Sequence, residues 1–189
     1  MALRPTVENI RSLGQFTQLH RWAVQFTKLP AVLGGNYNSE DINFRAESIG
    51  TPKLTVAMTQ IGIRGSRVNQ HGKGEYDDTI TLTCFETVNN KVISFQHDWR
   101  EHIWRTENGG EGTTADKDLL EAELTITLLD NVDKARWGYK LIGVLMELGD
   151  PGAELGNEAD PQKPVFTLKY DYFNEYSITN RDAFGVNNF

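Results

Sequence analysis

Residues 53–86 read KLTVAMTQIGIRGSRVNQHGKGEYDDTITLTCFE. At the start, Leu54, Val56 and Met58 alternate with Thr55, Ala57 and Thr59. At the end, Ile80, Leu82 and Cys84 alternate with Thr79, Thr81 and Thr83. A period of two marks a half-buried strand, because successive side chains point to opposite faces. Between the two runs, residues 62–74 carry four glycines. The stretch predicts a long β-hairpin whose distal arm projects from the body.

The next segment, FQHDWREHIW at 95–104, places two histidines, an Asp and a Glu within six positions. A helix over 90–105 puts Val92, Phe95, Trp99 and Ile103 on one apolar stripe. His97 and His102 then stand about 140° apart around the axis. Two histidines that share a metal on one helix need a spacing of about four, as in H-E-x-x-H or its inverted form. This string is one residue too long, and His20, His71 and Cys84 supply no convincing third ligand. Asp98, Arg100, Glu101 and Arg105 read as a solvated helix face, with Glu101 and Arg105 spaced as an ion pair.

Further out, 122–129 and 137–148 read as strands, the first setting Leu124, Ile126 and Leu128 against Thr125 and Thr127. VFTLKYDYF at 165–173 reads as the last strand. Upstream, 21–29 puts Trp22, Val24 and Phe26 on one face, 29–41 is a turn-rich loop, and 42–48 alternates with Ile42, Phe44 and Ala46 inward. Residues 6–13 place Val7, Ile10 and Leu13 three apart after Thr6, a short helix or arm. The expected fold is mainly β: an antiparallel sandwich or barrel of about seven or eight strands, one flanking helix and the projecting arm. One domain fills 1–189, with an N-terminal arm to 19, a core over 20–173 and a tail over 174–189.

Composition narrows the function. The net charge of −7 disfavours a protein that grips nucleic acid. One cysteine permits no internal disulfide framework and fits assembly in a reducing compartment. The N-terminus has no continuous apolar stretch, so a signal peptide is not expected. The longest apolar run, LIGVLM at 141–146, is far short of the ~20 residues that span a bilayer, so no membrane insertion is expected. There is no G-x-S-x-G elbow, no phosphate-binding loop, and no paired carboxylates, since Asp77 and Asp78 point to opposite faces of a strand. No catalytic residue, cofactor or metal is expected.

Three features stand outside catalysis. The arm carries Arg64, Arg67, His71 and Lys73 and no acid. The segment 147–160 carries Glu147, Asp150, Glu154, Glu158 and Asp160 and no base. A head-to-tail assembly would bring one onto the other; two solvated loops would look the same in sequence. The threonine faces suggest sheet surfaces turned to water or to a wide channel. The tail sets Ile178, Phe184, Val186 and Phe189 on a polar thread, which a freely disordered tail rarely carries.

The order of these parts resembles the tail tube proteins of contractile-tailed bacteriophages and, more distantly, the tube protein of type VI secretion systems. The resemblance rests on RWAVQF at 21–26, INFRAESIGTPKLTV at 42–56, the arm, GEYDDTITLTCFE at 74–86, NNKVISFQHDWREHI at 89–103 and VFTLKYDYF. It spans about 20–173; the acidic insertion at 150–161 and the tail are longer than in the shortest members. It implies hexameric rings stacked into a tube inside a contractile sheath, a structural virion protein through which a genome is ejected. It also implies as partners the sheath, a tape-measure protein, a baseplate or tube initiator, a tail terminator and duplex DNA in transit. On this reading Glu47, Thr55, Thr59, Thr79, Thr81 and Thr83 face the lumen. Arg64, Arg67, His71, Lys73, Glu147, Asp150, Glu154, Phe184 and Phe189 then make contacts between subunits or rings. A non-contractile tail tube, a secretion-type tube and a monomeric ligand-binding β-barrel are the alternatives.

Overall fold

The structure, a computed structural model, describes residues 18–105, 110–111, 116–152 and 160–178. Its centre is a seven-stranded antiparallel sheet. The strands are β1 (Trp22–Lys28), β2 (Ala46–Ile49), β5 (Thr79–Cys84), β8 (Ala122–Leu129), β9 (Ala135–Asp150), β10 (Val165–Lys169) and β11 (Tyr172–Ser177). Along the sheet the order is β1, β8, β9, β10, β5, β2, with β11 also on β9. The fold is mainly β, with one substantial helix, as the alternation predicts.

β9 organises the sheet. Residues 135–144 pair with β8, residues 137–142 also pair with β11, and residues 145–150 pair with β10. One strand thus belongs to both halves and must turn between them. It turns at Gly143, where φ is +69°, in the left-handed region that L side chains avoid. A Cβ there would collide with the Asp171 carboxylate, which Lys117 holds at 2.6 Å.

The long helix, α2 (Lys91–Ile103), follows α1 (Ser39–Asn43) in the chain. Val92, Phe95 and Trp99 are fully buried, and Ile103 packs at the margin. Phe95 is the hub: the rings of Phe26, Tyr37, Trp99 and Phe166 lie 5.3–6.0 Å from it. Trp99 donates its indole N–H to the Leu120 carbonyl at 2.9 Å, and Gln96 donates to the Val165 carbonyl at 3.0 Å. The Glu86 carboxylate accepts from the backbone N–H groups of Val92 and Ile93, so a negative charge sits on the positive end of the helix. Arg105 lies beyond the helix end in β6 (Trp104–Arg105), which pairs with β7 (Gly110–Glu111), so the solvated face is one turn shorter than its spacing suggests.

Several boundaries differ from the sequence reading. Residues 42–48 are not one strand. Asn38 accepts a hydrogen bond from Glu40 N–H and caps α1, the chain turns at Phe44, and β2 starts at Ala46. Ile42 is buried but Phe44 is 86% exposed, because helical spacing replaces alternation here. The loop 29–41 contains a 3-10 helix, Ala31–Asn36. Residues 165–173 break at Tyr170 and Asp171, and β11 carries the chain on to Ser177 within the sheet.

Thr125 and Thr127 are buried, against the expectation of a watery face. β8 lies between β1 and β9, so both its edges are paired. Thr127 stands in a row with Ala23 and Gly138, over which the Tyr176 ring lies; Lys140, beside Thr125, reaches Glu123 at 2.8 Å. Burial raises the Tyr176 hydroxyl pKa, partly offset by Lys140.

Candidate assembly surfaces

The predicted hairpin is present and extends to its tip. β3 (Lys53–Ile63) and β4 (Ser66–Asp77) form their own two-stranded sheet. The turn is the pair Arg64–Gly65, with φ of +47° and +86°, the two-residue primed turn that suits a twisted ribbon. A register shift opposite Ala57 leaves Gly72 against the Ala57 carbonyl, where a Cβ would approach within 2.9 Å. β4 does not run on into the body as one strand; at Asp78 the chain leaves the arm, and β5 joins the sheet between β10 and β2.

The arm is unusual in what it leaves in water. Leu54, Val56 and Met58 on one face are 43–63% exposed, and the cross-strand pair Ile61 and Val68 on the other is 39% and 54% exposed. An isolated two-stranded ribbon is marginal in water, so these side chains need a partner surface. Arg64, Arg67, His71 and Lys73 are all exposed along the arm. Thr55 and Thr59 sit on the face opposite Met58, beside Glu75 and Gln70.

On the body, Thr79 and Thr83 are half-buried and Thr81 is exposed, while Ile80, Leu82 and Cys84 fill the core as predicted. Thr167 of β10 stands directly opposite Thr81. The cations on this side each meet a carboxylate. Lys169 lies 3.3 Å from Glu147 and 3.8 Å from Asp78, and these acids raise its pKa. Lys163 lies 2.5 Å from Glu47 and sits over the Phe85 ring. The result is a hydroxyl-lined strip with its charges neutralised in place. Thr55 and Thr59 lie on the arm and the β5 threonines on the body, so the six residues expected at a lumen occupy two separate sheets.

Glu147 and Asp150 belong to the end of β9 and not to a loop. Glu147 is engaged with Lys169, and Asp150 accepts from Gly152 N–H at 2.8 Å. Glu154, Phe184 and Phe189, with the 1–17 segment and Glu158, lie outside the described residues. Sequence reasoning missed the apolar exposure of the arm: the alternation of Leu54, Val56 and Met58 looks like any core-facing strand. It also missed a groove of about 810 Å³ between β1 and β2, because which strands end a sheet is a property of topology.

Among the described residues no three His, Cys, Asp or Glu side chains are grouped to hold a metal, and His97 pairs with Asp98 at 3.3 Å. Among the same residues no helix is long and apolar enough to cross a membrane.

Compared by sequence, no family model and no curated protein matches this chain. Compared by structure, it is similar to a chain of the anti-feeding prophage baseplate solved by cryo-EM with six-fold symmetry. The TM-score is 0.57 at 14% identity, over 87% of this chain and 98% of that one. It is also similar to a chain of the cap that terminates the anti-feeding prophage tube (TM-score 0.58, 10% identity, 86% and 92% covered). A third likeness is to a chain of the sheath–tube complex of the extracellular contractile injection system PVC, in its extended state (0.54, 12%, 91% and 98%). The shared property at these identities is the fold.

Proposed function

We propose that this chain is the structural subunit of the inner tube of a contractile tail. Six copies close into a ring, rings stack, and in a phage the resulting tube is the conduit for genome ejection. The observation that carries the reading is the arm: a β-ribbon with five large aliphatic side chains in water, which a solitary subunit has no physical reason to keep. The likeness in fold to chains from contractile injection machines supports it.

On this reading the arm lies on a neighbouring subunit or ring, with Arg64, Arg67, His71 and Lys73 facing acids such as Glu147, Asp150 and Glu154. Phe184 and Phe189 of the tail make further contacts between subunits. The hydroxyl strip of Thr79, Thr81 and Thr83, together with Glu47, Thr55 and Thr59, lines the lumen. Lys163 and Lys169 on the β5–β10 side are each held by a carboxylate, which leaves duplex DNA little to grip there, because phosphate affinity comes mostly from Lys and Arg. The sheath, a tape-measure protein, the baseplate or tube initiator and the tail terminator are the partners, and the protein resides in the virion after assembly in the host cytoplasm. No catalytic role is proposed.

Electron microscopy of the concentrated, purified protein tests the reading. Hollow rings or tubes with a central channel are the expected result. Dispersed monomers that stay dispersed when a preformed baseplate is added would overturn it in favour of a monomeric binding barrel.

A further inference from the structure

From Leu54 to Gly74 the arm contains no acidic residue, and it carries Arg64, Arg67, His71 and Lys73. Residues 53–62 and 64–75 are exposed throughout. Among the described residues no carboxylate pairs with Arg64, Arg67 or Lys73, whereas Lys163 and Lys169 of the body are both held by acids. The register sorts the faces. Near the tip Ile61 stands across from Val68 on one face, and Arg67 stands across from Gly62 on the other, with Arg64 in the turn itself. Met58, across from His71, continues the Arg67 face toward the body. The distal ribbon is therefore amphipathic, aliphatic on one side and cationic on the other. This end is also remote from the acidic body. The eleven residues of β3 reach about 36 Å at 3.3 Å each. Charges are screened beyond about 8 Å at physiological salt, so the net charge of −7 does not cancel the field at the tip.

We infer that the arm of the dispersed subunit binds the surface of an anionic lipid bilayer. Such a surface answers both halves of the chemistry: phosphates meet the cations, and the acyl boundary takes the aliphatic side chains. Nucleic acid answers only the first. The ribbon from Leu54 to Gly74 has no Phe, Tyr or Trp on which a base could stack, and a duplex would leave Met58, Ile61 and Val68 in water. The binding is peripheral. No described strand pairs with the outer edges of the ribbon, and open edges are not tolerated in the hydrocarbon core. The tip therefore rests at headgroup depth, with Ile61 and Val68 toward the acyl chains and Arg64 and Arg67 at the phosphates. Each cation held near an anionic surface strengthens binding about fivefold, so Arg64, Arg67 and Lys73 together supply on the order of a hundredfold. The inference concerns the arm before another copy covers it, and it holds for the dispersed subunit whatever that subunit assembles into.

The test is flotation of the dispersed full-length chain with vesicles of phosphatidylglycerol and phosphatidylcholine in equal parts, and with vesicles of phosphatidylcholine alone. The chain is expected to float with the first and not with the second, and added salt should release it. Two altered chains separate the halves of the interaction. Arg64→Gln with Arg67→Gln should weaken binding about 25-fold. Ile61→Ser with Val68→Ser should weaken it roughly tenfold. Among the described residues neither pair belongs to the main core, so an unchanged thermal midpoint shows that the body stays folded. Equal binding to both vesicles, or binding unchanged by the glutamine pair, would overturn the inference. So would capture by a short DNA duplex in place of the anionic vesicles. A chain that forms tubes yet floats with neither vesicle overturns this inference and leaves the assembly reading standing; a chain that floats yet never assembles does the reverse.

Discussion

Cys84 shows how much a single position can say. Its place in the alternation Ile80, Leu82, Cys84 predicts an inward side chain, and in the structure it is fully buried on β5. Burial, reinforced by the nearby Glu86 charge, pushes its thiol from 9.0 up to about 12, with Arg45 opposing. The native state therefore holds the proton more tightly than the unfolded chain does. This contribution to stability is whole below about pH 9 and declines as pH rises from 9 toward 12. Two outcomes follow for one residue. At pH 8 the native protein should react with a thiol reagent at least a hundredfold more slowly than the protein in denaturant. In urea titrations the midpoint should fall between pH 9 and 11 by more in the native sequence than in Cys84→Ala. Fast native labelling at pH 8 would show that β5 opens readily. Gly143 marks the opposite case: nothing in IGVL distinguishes a strand that bends from one that does not, since the need for a positive φ arises only when β10 and β11 meet β9.

At the scale of elements, the long-period signals were readable and the short ones were not. The stripe of α2 and the alternation of β1, β5 and β8 are enforced by one continuous core, so each inward residue is constrained by its neighbours. Residues 42–48 misled because three apolar residues at even spacing fit a strand, while the competing Asn38 cap is a local signal that wins only with Ile42 docked in the core. The threonines of β8 misled because Thr is equally at home on a solvated face and in a central strand flanked by small residues. The arm belongs to this scale too. Its hairpin was legible from glycine and alternation; its need for a partner was not, since exposure is invisible in sequence. Replacing residues 64–73 by a short Gly-containing turn should leave the thermal midpoint of the subunit within a few degrees, because among the described residues the main core contains nothing from the arm. The same protein should form no rings or tubes at concentrations where the parent does. Tubes of normal length from the shortened protein would remove the arm from assembly.

At the scale of the whole molecule, the proposed ring must turn one side of the sheet inward. Six copies at −7 each would give a ring of −42, and such a ring would repel DNA from any surface not locally neutralised. The β5–β10 strip is the side where that neutralisation is built in: Lys169 sits between Glu147 and Asp78, Lys163 meets Glu47, and hydroxyls fill the space between. The opposite side carries α2, whose exposed His97 and Arg100 would lie outside. Because Cys84 is shielded, introduced thiols can report on this without altering the native cysteine. Assembled tubes bearing Thr81→Cys should react with a small maleimide but not with the same group carried on a folded protein too wide for the channel. Tubes bearing Arg100→Cys should react with both. If Thr81→Cys accepts the large reagent and Arg100→Cys excludes it, the ring is inverted relative to this proposal. The helix would then line the channel, and the hydroxyl strip would be the surface offered to the sheath.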